Sequence, residues 1–180
     1  MHLINHKIYY FIDEFNKKHL IGINKKINLI FRNYTDQFSL SFYKELRIFC
    51  HNYGFKIYLS NNFKIAHTVG FDGVYLPSFN KKILNVRNLK KNFELLGSAH
   101  NVKDIRIKEK QGINLIFLSP VFEKKSKKHL GIHSFINLTK YTNKKVVALG
   151  GINYRNIKIL NLYGYKSYAA INWIKNNVPK

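Results

Sequence analysis

Cysteine and acidic residues are scarce in this sequence. Among 180 residues there is one cysteine, and 9 Asp and Glu stand against 31 Lys and Arg. The single thiol, Cys50, has no internal disulfide partner, and its place on the apolar side of a helical stretch favours a structural role. Only Asp13, Glu14, Asp72 and Glu123 fall near predicted strand ends, so a carboxylate acid–base pair or a carboxylate-bound metal is hard to assemble.

Long hydrophobic runs and targeting signals are also missing. The longest apolar runs, such as residues 145–149, are strand-sized and far below the roughly 20 residues that cross a bilayer. The first residues show no basic start followed by an apolar stretch and a small-residue cleavage site. Gly-rich nucleotide loops, metal-spaced His or Cys clusters and the HExxH motif do not occur. We therefore expect a single domain over residues 1–180, located in the cytoplasm and without a membrane partner.

Positive charge is abundant, with a formal net charge of +22. Such a field attracts polyanions, and both phosphorylated small molecules and nucleic acid meet that description. The lysines are spread along the chain instead of forming a block, and abundant Lys, Asn and Ile indicate a general compositional bias. Nucleic acid is therefore the least favoured of the candidate partners.

Eight short β-branched or aromatic runs alternate with amphipathic stretches. Helical spacing is clearest over residues 40–52 and 154–163, and Gly164 is a plausible stop for the second helix. The alternation predicts parallel strands with right-handed crossovers, and eight units predict an α/β fold, a compact (β/α)8 TIM barrel. Because the chain is short for this fold, we expect reduced helices within residues 13–26 and after Asn61. Strands are predicted at residues 7–12, 27–31, 55–59, 73–76, 93–97, 114–118, 145–149 and 166–171.

In barrels of this type the loops after the seventh and eighth strands often hold a phosphate. Strand seven ends in Gly150 and Gly151, whose missing side chains allow backbone amides to approach an anion closely. After strand eight, Ile171 and Asn172 could offer amides to the same anion. A tight strand-to-helix turn with Asn153 as N-cap explains the glycines nearly as well, so both interpretations stay open.

Two further loops contain candidate groups. Residues 119–131, after strand six, gather lysines around the hydroxyl of Ser126 and suit a diphosphate, although solvated surface lysines explain the loop as well. Just past strand five, His100 is either a structural histidine or part of the site, and Ser98 points either into the barrel or toward the ligand. All these groups follow predicted strands, so we expect one site at the carboxyl end of the barrel.

The order and spacing of several segments resemble the motifs of one known family, the thiamine-phosphate synthase and TenI family. The segments are residues 71–76, 98–100, 117–122 with Ser126 and Lys127, and 147–152. The resemblance extends over nearly the whole chain and implies a barrel protein of thiamine biosynthesis, a transferase. The family's synthase reaction joins hydroxymethylpyrimidine diphosphate to thiazole phosphate, releases pyrophosphate and yields thiamine phosphate.

The resemblance also implies roles for individual residues. Arg32 and Lys127 match two residues that contact the pyrophosphate, and Ser98 matches the serine beside the pyrimidine and the pyrophosphate. These three are the expected catalytic residues. Ser126 matches a hydroxyl residue on the thiazole side, and residues 150–151 match the glycines that hold the thiazole phosphate.

The chain departs from the synthase pattern on the diphosphate side. Synthases carry Asn-Asp after strand three and Asp after strand four, and the two aspartates bind Mg²⁺, whereas this chain has Ser60, Asn61 and Asn80. Tyr34 stands where the synthases have a lysine. Neutral amide oxygens bind Mg²⁺ much more weakly than carboxylates do. The resemblance thus implies Mg²⁺ as the cofactor, whereas these replacements disfavour its binding. We therefore predict no metal ligand and treat Ser60, Asn61 and Asn80 as candidate substrate contacts.

This altered side is similar to that of TenI-type relatives, which lack synthase activity and in some cases act as thiazole tautomerases. The tautomerase histidine falls where this chain has Pro120, so proton transfer would need His100, His129 or another group. Two hypotheses follow. One is a synthase whose lysines, Lys127 among them, neutralise pyrophosphate in place of Mg²⁺; the other is a TenI-type protein that tautomerises or only binds the thiazole phosphate or thiamine phosphate. Both take phosphorylated small molecules as partners, and both leave the oligomeric state open.

Overall fold

The computed structural model describes residues 7–83, 89–123 and 129–177, in which eight β-strands alternate with seven α-helices. The strands are β1 (Lys7–Ile12), β2 (Asn28–Phe31), β3 (Ile57–Ser60), β4 (Gly73–Leu76), β5 (Glu94–Ala99), β6 (Leu115–Leu118), β7 (Lys145–Leu149) and β8 (Ser167–Ala170). The helices are α1 (Lys17–Ile21), α2 (Leu40–Asn52), α3 (Phe63–Val69), α4 (Val102–Lys110), α5 (Ile132–Thr139), α6 (Tyr154–Leu162) and α7 (Asn172–Asn177).

The eight strands close into one barrel. They follow each other in chain order, every neighbouring pair is parallel, and β8 pairs with β1 to complete the ring. Each predicted strand is present with small shifts at its ends, so the predicted (β/α)8 barrel is confirmed. Because all strands run in the same direction, the loops that follow them meet at one end of the barrel.

The helices are short in the way that a short chain requires. α1 has 5 residues and α3 has 7, and both lie where the sequence predicted reduced helices. Between β4 and β5 the described residues, 77–83 and 89–93, contain no helix, which the sequence did not indicate. The predicted helix over residues 40–52 is present as α2 and begins at its N-cap Ser39, whose hydroxyl accepts the N–H of Phe42.

Aromatic rings fill the interior of the barrel. The Phe117 ring of β6 lies among three others, with centroid distances of 5.0 Å to Tyr9, 5.3 Å to Tyr75 and 6.1 Å to Phe11. Such edge-to-face pairs stabilise a core beyond their buried area, by about 0.5–1.5 kcal/mol each. The other apolar residues of this interior cluster are Ile30, Tyr58, Leu96, Leu115, Val147 and Ala169. The interior is a packed core, so a ligand must bind above it, at the barrel end.

A second apolar layer lies between the strands and the helices. Leu46 and Cys50 of α2, Ile105 of α4 and Ile157 of α6 are fully buried in it. Cys50 therefore has the structural position that the sequence predicted, and burial raises the pKa of its thiol to about 12. Throughout the ranges that the structure describes, every helix is too short or too polar to cross a membrane.

Gly73 provides a test of the strand packing. A Cβ atom at this first residue of β4 would collide with the backbone carbonyl oxygen of Glu94 on β5. We expect Gly73→Ala to lower the free energy of unfolding by about 3 kcal/mol, because a backbone shift would disturb the barrel hydrogen bonds. Gly164→Ala is the control, because a Cβ at this position would meet open space. Only its positive φ is unfavourable for alanine, and this should lower the free energy of unfolding by about 1 kcal/mol. Equal losses in chemical denaturation would contradict this explanation.

Candidate functional site

The loops at the carboxyl end of the barrel border a partly open cavity of about 440 Å³. Four predicted site residues line it, namely Arg32, Gly150, Gly151 and Ile171. The cavity therefore joins the end of β2 to the ends of β7 and β8. The other lining residues are His100, Ser119, Pro120, Glu123, Leu149, Ile152, Asn153, Ala169, Ala170 and Trp173.

Two glycines form one wall of the cavity. Gly150 and Gly151 have φ values of 96° and 64°, in the region that favours glycine. A Cβ on Gly150 would lie 2.7 Å from Pro120, and a Cβ on Gly151 would lie 2.7 Å from Phe122. The backbone is packed here against the loop after β6 with no room for side chains, and it borders the cavity directly. We call this segment the glycine wall.

The turn that contains the glycine wall also caps the next helix. Asn153 is the N-cap of α6 and accepts the N–H of Asn156, whose side-chain amide donates to the Gly151 carbonyl at 2.6 Å. The Gly150 carbonyl accepts the N–H of Phe122 at 3.2 Å. Because both glycine carbonyls are engaged within the protein, N–H groups are what the wall can offer to a ligand. A capped turn and an anion-binding wall are therefore compatible in one segment.

Arg32 is held at the cavity by its neighbours. The backbone N–H of Arg32 donates to the Ile12 carbonyl at 2.7 Å. The carbon of its guanidinium group lies 4.8 Å from the centre of the Phe11 ring. A guanidinium stacked on a ring keeps the N–H groups at its edge available for an anion. Burial raises the pKa of the Tyr34 and Tyr75 phenols, and the nearby Arg32 charge opposes that rise. Arg32 thus lies within electrostatic reach of both the cavity and the rim beside it.

That rim contains a pair of amides, after β3 and β4. Asn80 accepts the N–H of Lys82 through Oδ1 at 2.9 Å, so its Nδ2 faces Asn61 and donates to Asn61 Oδ1 at 2.7 Å. Asn61 has a positive φ of 61°, which asparagine tolerates better than most residues, and its N–H donates to the Tyr75 carbonyl. The structure therefore brings these two predicted residues together, and each orients the other.

Tyr34 belongs to the same rim. Its hydroxyl lies 2.7 Å from the Oγ of Ser60, and its ring meets the ring of Phe79 edge-on at 5.7 Å. Where the resemblance leads us to expect a lysine, the chain places an aromatic side chain bonded to a buried serine. Together with the amide pair, this makes the described part of the rim neutral. We refer to Tyr34, Ser60, Asn61 and Asn80 as the neutral rim.

Ser98 and His100 lie at the end of β5. Ser98 is buried and hydrogen-bonds the hydroxyl of Tyr75, so it points into the barrel. The His100 Nδ1 lies 2.5 Å from the Ser119 carbonyl and must therefore carry the proton, while Nε2 accepts the hydroxyl of Ser78 at 2.9 Å. With both nitrogens bonded, His100 links the ends of β4, β5 and β6, which favours the structural interpretation of this residue.

The neutral rim does not fit Mg²⁺. The Oδ1 atoms of Asn61 and Asn80 both already accept N–H groups. Mg²⁺ is bound in proteins through carboxylates, with near-ideal octahedral geometry. Among the described residues there is also no group of three His, Cys, Asp or Glu side chains that could hold a metal ion.

The remaining predicted residues fall outside these contacts. Ser126 and Lys127 lie outside the described residues, so their roles stay predictions. Asn172 begins α7, directly after the lining residue Ile171. Trp173 also lines the cavity, and sequence reasoning missed it. The available signal was its position as the single tryptophan, just after the last strand.

Sequence comparisons identify a family. The thiamine monophosphate synthase (TMP-TENI) family model matches residues 21–174. A thiamine-phosphate synthase from Prochlorococcus marinus strain AS9601 is 33% identical over 162 residues, 88% of this chain and 46% of that protein. A putative thiamine-phosphate synthase 2 from Aquifex aeolicus is 31% identical over 131 residues, 71% of this chain and 70% of that protein. The chain spans about half the length of the Prochlorococcus relatives that it matches.

Comparison with solved structures shows the same barrel. The thiamine phosphate pyrophosphorylase from Pyrococcus furiosus has a TM-score of 0.74 at 20% identity, covering 96% of this chain and 89% of that one. Citrate synthase SbnG gives 0.69 at 8% identity, covering 92% and 86%, so structural likeness by itself indicates the fold and not the chemistry. The family model, which covers most of the sequence, is specific: the chain belongs to the thiamine monophosphate synthase family.

Proposed function

We propose that this chain is a transferase of the thiamine-phosphate synthase type, which joins hydroxymethylpyrimidine diphosphate to thiazole phosphate and releases pyrophosphate. One observation carries the proposal: the glycine wall and Arg32 face the same cavity at the carboxyl end of the barrel. A volume of about 440 Å³ suits a small-molecule ligand. Membership of the family over residues 21–174 supports the same function.

The proposed reaction requires two anions to be held at once. The bond between the pyrimidine methylene carbon and the diphosphate oxygen breaks, its electron pair leaves with pyrophosphate, and the thiazole nitrogen forms the new carbon–nitrogen bond. The glycine wall is suited to the thiazole phosphate, because backbone N–H groups at a positive-φ turn can approach an oxyanion closely. Arg32 is suited to the pyrophosphate, since its guanidinium pairs with two phosphate oxygens and stays charged.

Charge on the departing pyrophosphate must be balanced by groups other than the neutral rim. Asn61 and Asn80 carry no charge and bond to each other. Arg32 supplies one cation, and we assign the rest of this role to the lysine-rich loop that includes Lys127. A cation fixed in place before the reaction stabilises developing negative charge without reorganisation. The proposed synthase therefore uses cationic side chains in the role that the family gives to Mg²⁺.

Turnover in the presence and absence of Mg²⁺ tests this function. Purified protein supplied with both substrates should form thiamine phosphate, detected by chromatography, at a rate that changes little when Mg²⁺ is added or chelated. Arg32→Met should lower kcat by about a hundredfold, because the leaving group loses its fixed cation. Arg155→Met removes the same charge from the exposed side of α6 and should leave the rate unchanged. Absence of thiamine phosphate under both conditions would overturn the proposal.

A TenI-type role is the second candidate, and the Asn61–Asn80 pair favours it. In this role the protein binds thiazole phosphate or thiamine phosphate at the glycine wall, without pyrimidine diphosphate chemistry. Both nitrogens of His100 are hydrogen-bonded within the protein, so binding fits the geometry better than proton transfer by this residue. Tight binding of thiazole phosphate without turnover would select the TenI-type role.

Both candidates depend on the glycine wall, and Gly151→Val tests it. The new side chain would collide with Phe122 and the carbonyl of Glu123, so the glycine wall would have to shift and its N–H groups would lose their position at the cavity. Calorimetry should show the affinity for thiazole phosphate falling about a hundredfold, or about 3 kcal/mol. Gly164→Val, at another positive-φ glycine with open space around it, should bind as the wild type does. Unchanged binding by Gly151→Val would show that the phosphate lies elsewhere.

The amide pair leads to a prediction about metal binding. The double variant Asn61→Asp, Asn80→Asp places two carboxylates where the amides meet at 2.7 Å. We expect their repulsion to lower Tm without metal, and millimolar Mg²⁺ to restore it, because carboxylates are ligands that Mg²⁺ accepts. The wild-type Tm should not respond to Mg²⁺. A wild-type shift as large as that of the variant would show that the neutral rim does bind the ion.

A further inference from the structure

A buried lysine lies beneath the loop after β4, residues 77–82, which we call the β4 loop. Lys108 of α4 is fully buried, and it is not among the residues that line the cavity. Its Nζ donates to the carbonyls of Pro77 and Asn80, each at 2.7 Å, and to Oε1 of Gln111 at 2.9 Å. An ammonium group has three protons. Each proton of Lys108 therefore has an acceptor, and two of these belong to the β4 loop.

Gln111, the C-cap of α4, completes the network. Its Nε2 donates to the Asn80 carbonyl at 3.1 Å and to the Lys82 carbonyl at 2.8 Å. Its own oxygen accepts from Lys108, so the whole side-chain amide is used. Two side chains at the end of one helix thus hold the carbonyls of Pro77, Asn80 and Lys82. We refer to Lys108 and Gln111 as the loop clamp.

Gly97 of β5 makes room for this lysine. A Cβ at this position would lie 2.9 Å from the Lys108 Cδ and 3.0 Å from the Ile113 side chain. The missing side chain leaves a passage in which the aliphatic part of Lys108 crosses β5 to reach the β4 loop. The loop clamp is therefore built jointly by α4, β5 and the loop itself.

The electrostatics of the clamp separate it from ordinary core packing. The three groups that accept hydrogen bonds from Lys108 are all neutral. Burial lowers the pKa of its ammonium group to about 8, although the negative charge of Asp104 on the same helix raises that pKa in part. Replacing a buried ionic group by a well-packed apolar residue of similar volume is often neutral or stabilising. What the lysine adds over an apolar residue is a fixed position for the carbonyls that it binds.

The clamp leads directly to the neutral rim through Asn80. The Asn80 carbonyl is held by Lys108 and Gln111, and its N–H donates to the Pro77 carbonyl at 3.0 Å. Its side chain accepts the Lys82 N–H and donates to Asn61. Every polar group of Asn80 is therefore engaged, and the direction of its side chain follows from the position of the loop.

We propose that Lys108 is a positioning residue for the diphosphate half of the site, acting with Gln111 to fix the β4 loop and thereby the Asn61–Asn80 pair. The effect on ligand binding rests on the proposed function, whereas the effect on the loop does not. Loss of the clamp should loosen residues 77–82 and weaken pyrophosphate binding. The glycine wall follows β7, away from the β4 loop, and should keep its affinity for thiazole phosphate.

Hydrogen exchange tests the clamp without reference to activity. Lys108→Met keeps the apolar stem and removes the ammonium group, and exchange in a peptide covering residues 78–83 should become at least about tenfold faster. The peptide covering residues 150–153 should be unchanged. Lys110→Met, which removes the same charge from an exposed position of α4, is the matched control and should exchange as the wild type does. If Lys108→Met exchanges as slowly as the wild type, the clamp proposal is overturned.

Calorimetry with two probes tests the positioning role. Lys108→Met should weaken pyrophosphate binding by about tenfold or more and leave thiazole phosphate binding unchanged, because only one half of the site is displaced. Gln111→Leu keeps the buried cation but removes two hydrogen bonds to the loop, so it should weaken pyrophosphate binding less than Lys108→Met does. This variant replaces Lys108→Met in the test if that protein folds poorly. Equal losses for both probes would show a purely structural role. If the wild type binds neither probe, the proposed function fails, and the exchange experiment alone judges the clamp.

Discussion

Aromatic rings packed around Phe117 hold the barrel of this protein together from the inside. An eight-stranded parallel barrel must fill its interior, and here Phe11, Tyr75 and Phe117 fill the region toward the carboxyl end. Two of these rings also contact predicted site residues, since Phe11 supports the guanidinium of Arg32 and Tyr75 bonds the hydroxyl of Ser98. Barrel closure and the position of the functional groups therefore have one physical origin.

The candidate site divides into two halves that differ in how they are made. The glycine wall consists of backbone, and its shape follows from positive φ angles and contact with the loop after β6. The neutral rim consists of side chains, and its geometry depends on a chain of hydrogen bonds from Lys108 through Asn80 to Asn61. A backbone site tolerates changes in most neighbouring side chains, whereas a hydrogen-bonded rim changes with any one of its members.

Both halves are consistent with membership of the thiamine monophosphate synthase family, and in the proposed function the amides of Asn61 and Asn80 lie on the diphosphate side. Fixed cations and bound metal ions both neutralise phosphate charge, but only the metal ion needs carboxylate ligands. A chain with 31 Lys and Arg and 9 acidic residues is better supplied for the first solution than for the second. Its composition and its site therefore agree.

Local sequence patterns were enough to predict the eight strands, the reduced helices α1 and α3, the cap at Asn153 and the glycines after β7, because periodicity, caps and positive-φ turns are local properties. Two contacts could not be predicted in this way: Asn80 meets Asn61, 19 residues away, and Lys108 reaches Pro77, 31 residues away. Helical spacing places Lys108 on α4 but does not show that Gly97 opens a passage beneath it. Such contacts depend on which elements pack together, and this is decided by barrel closure and not by any local pattern.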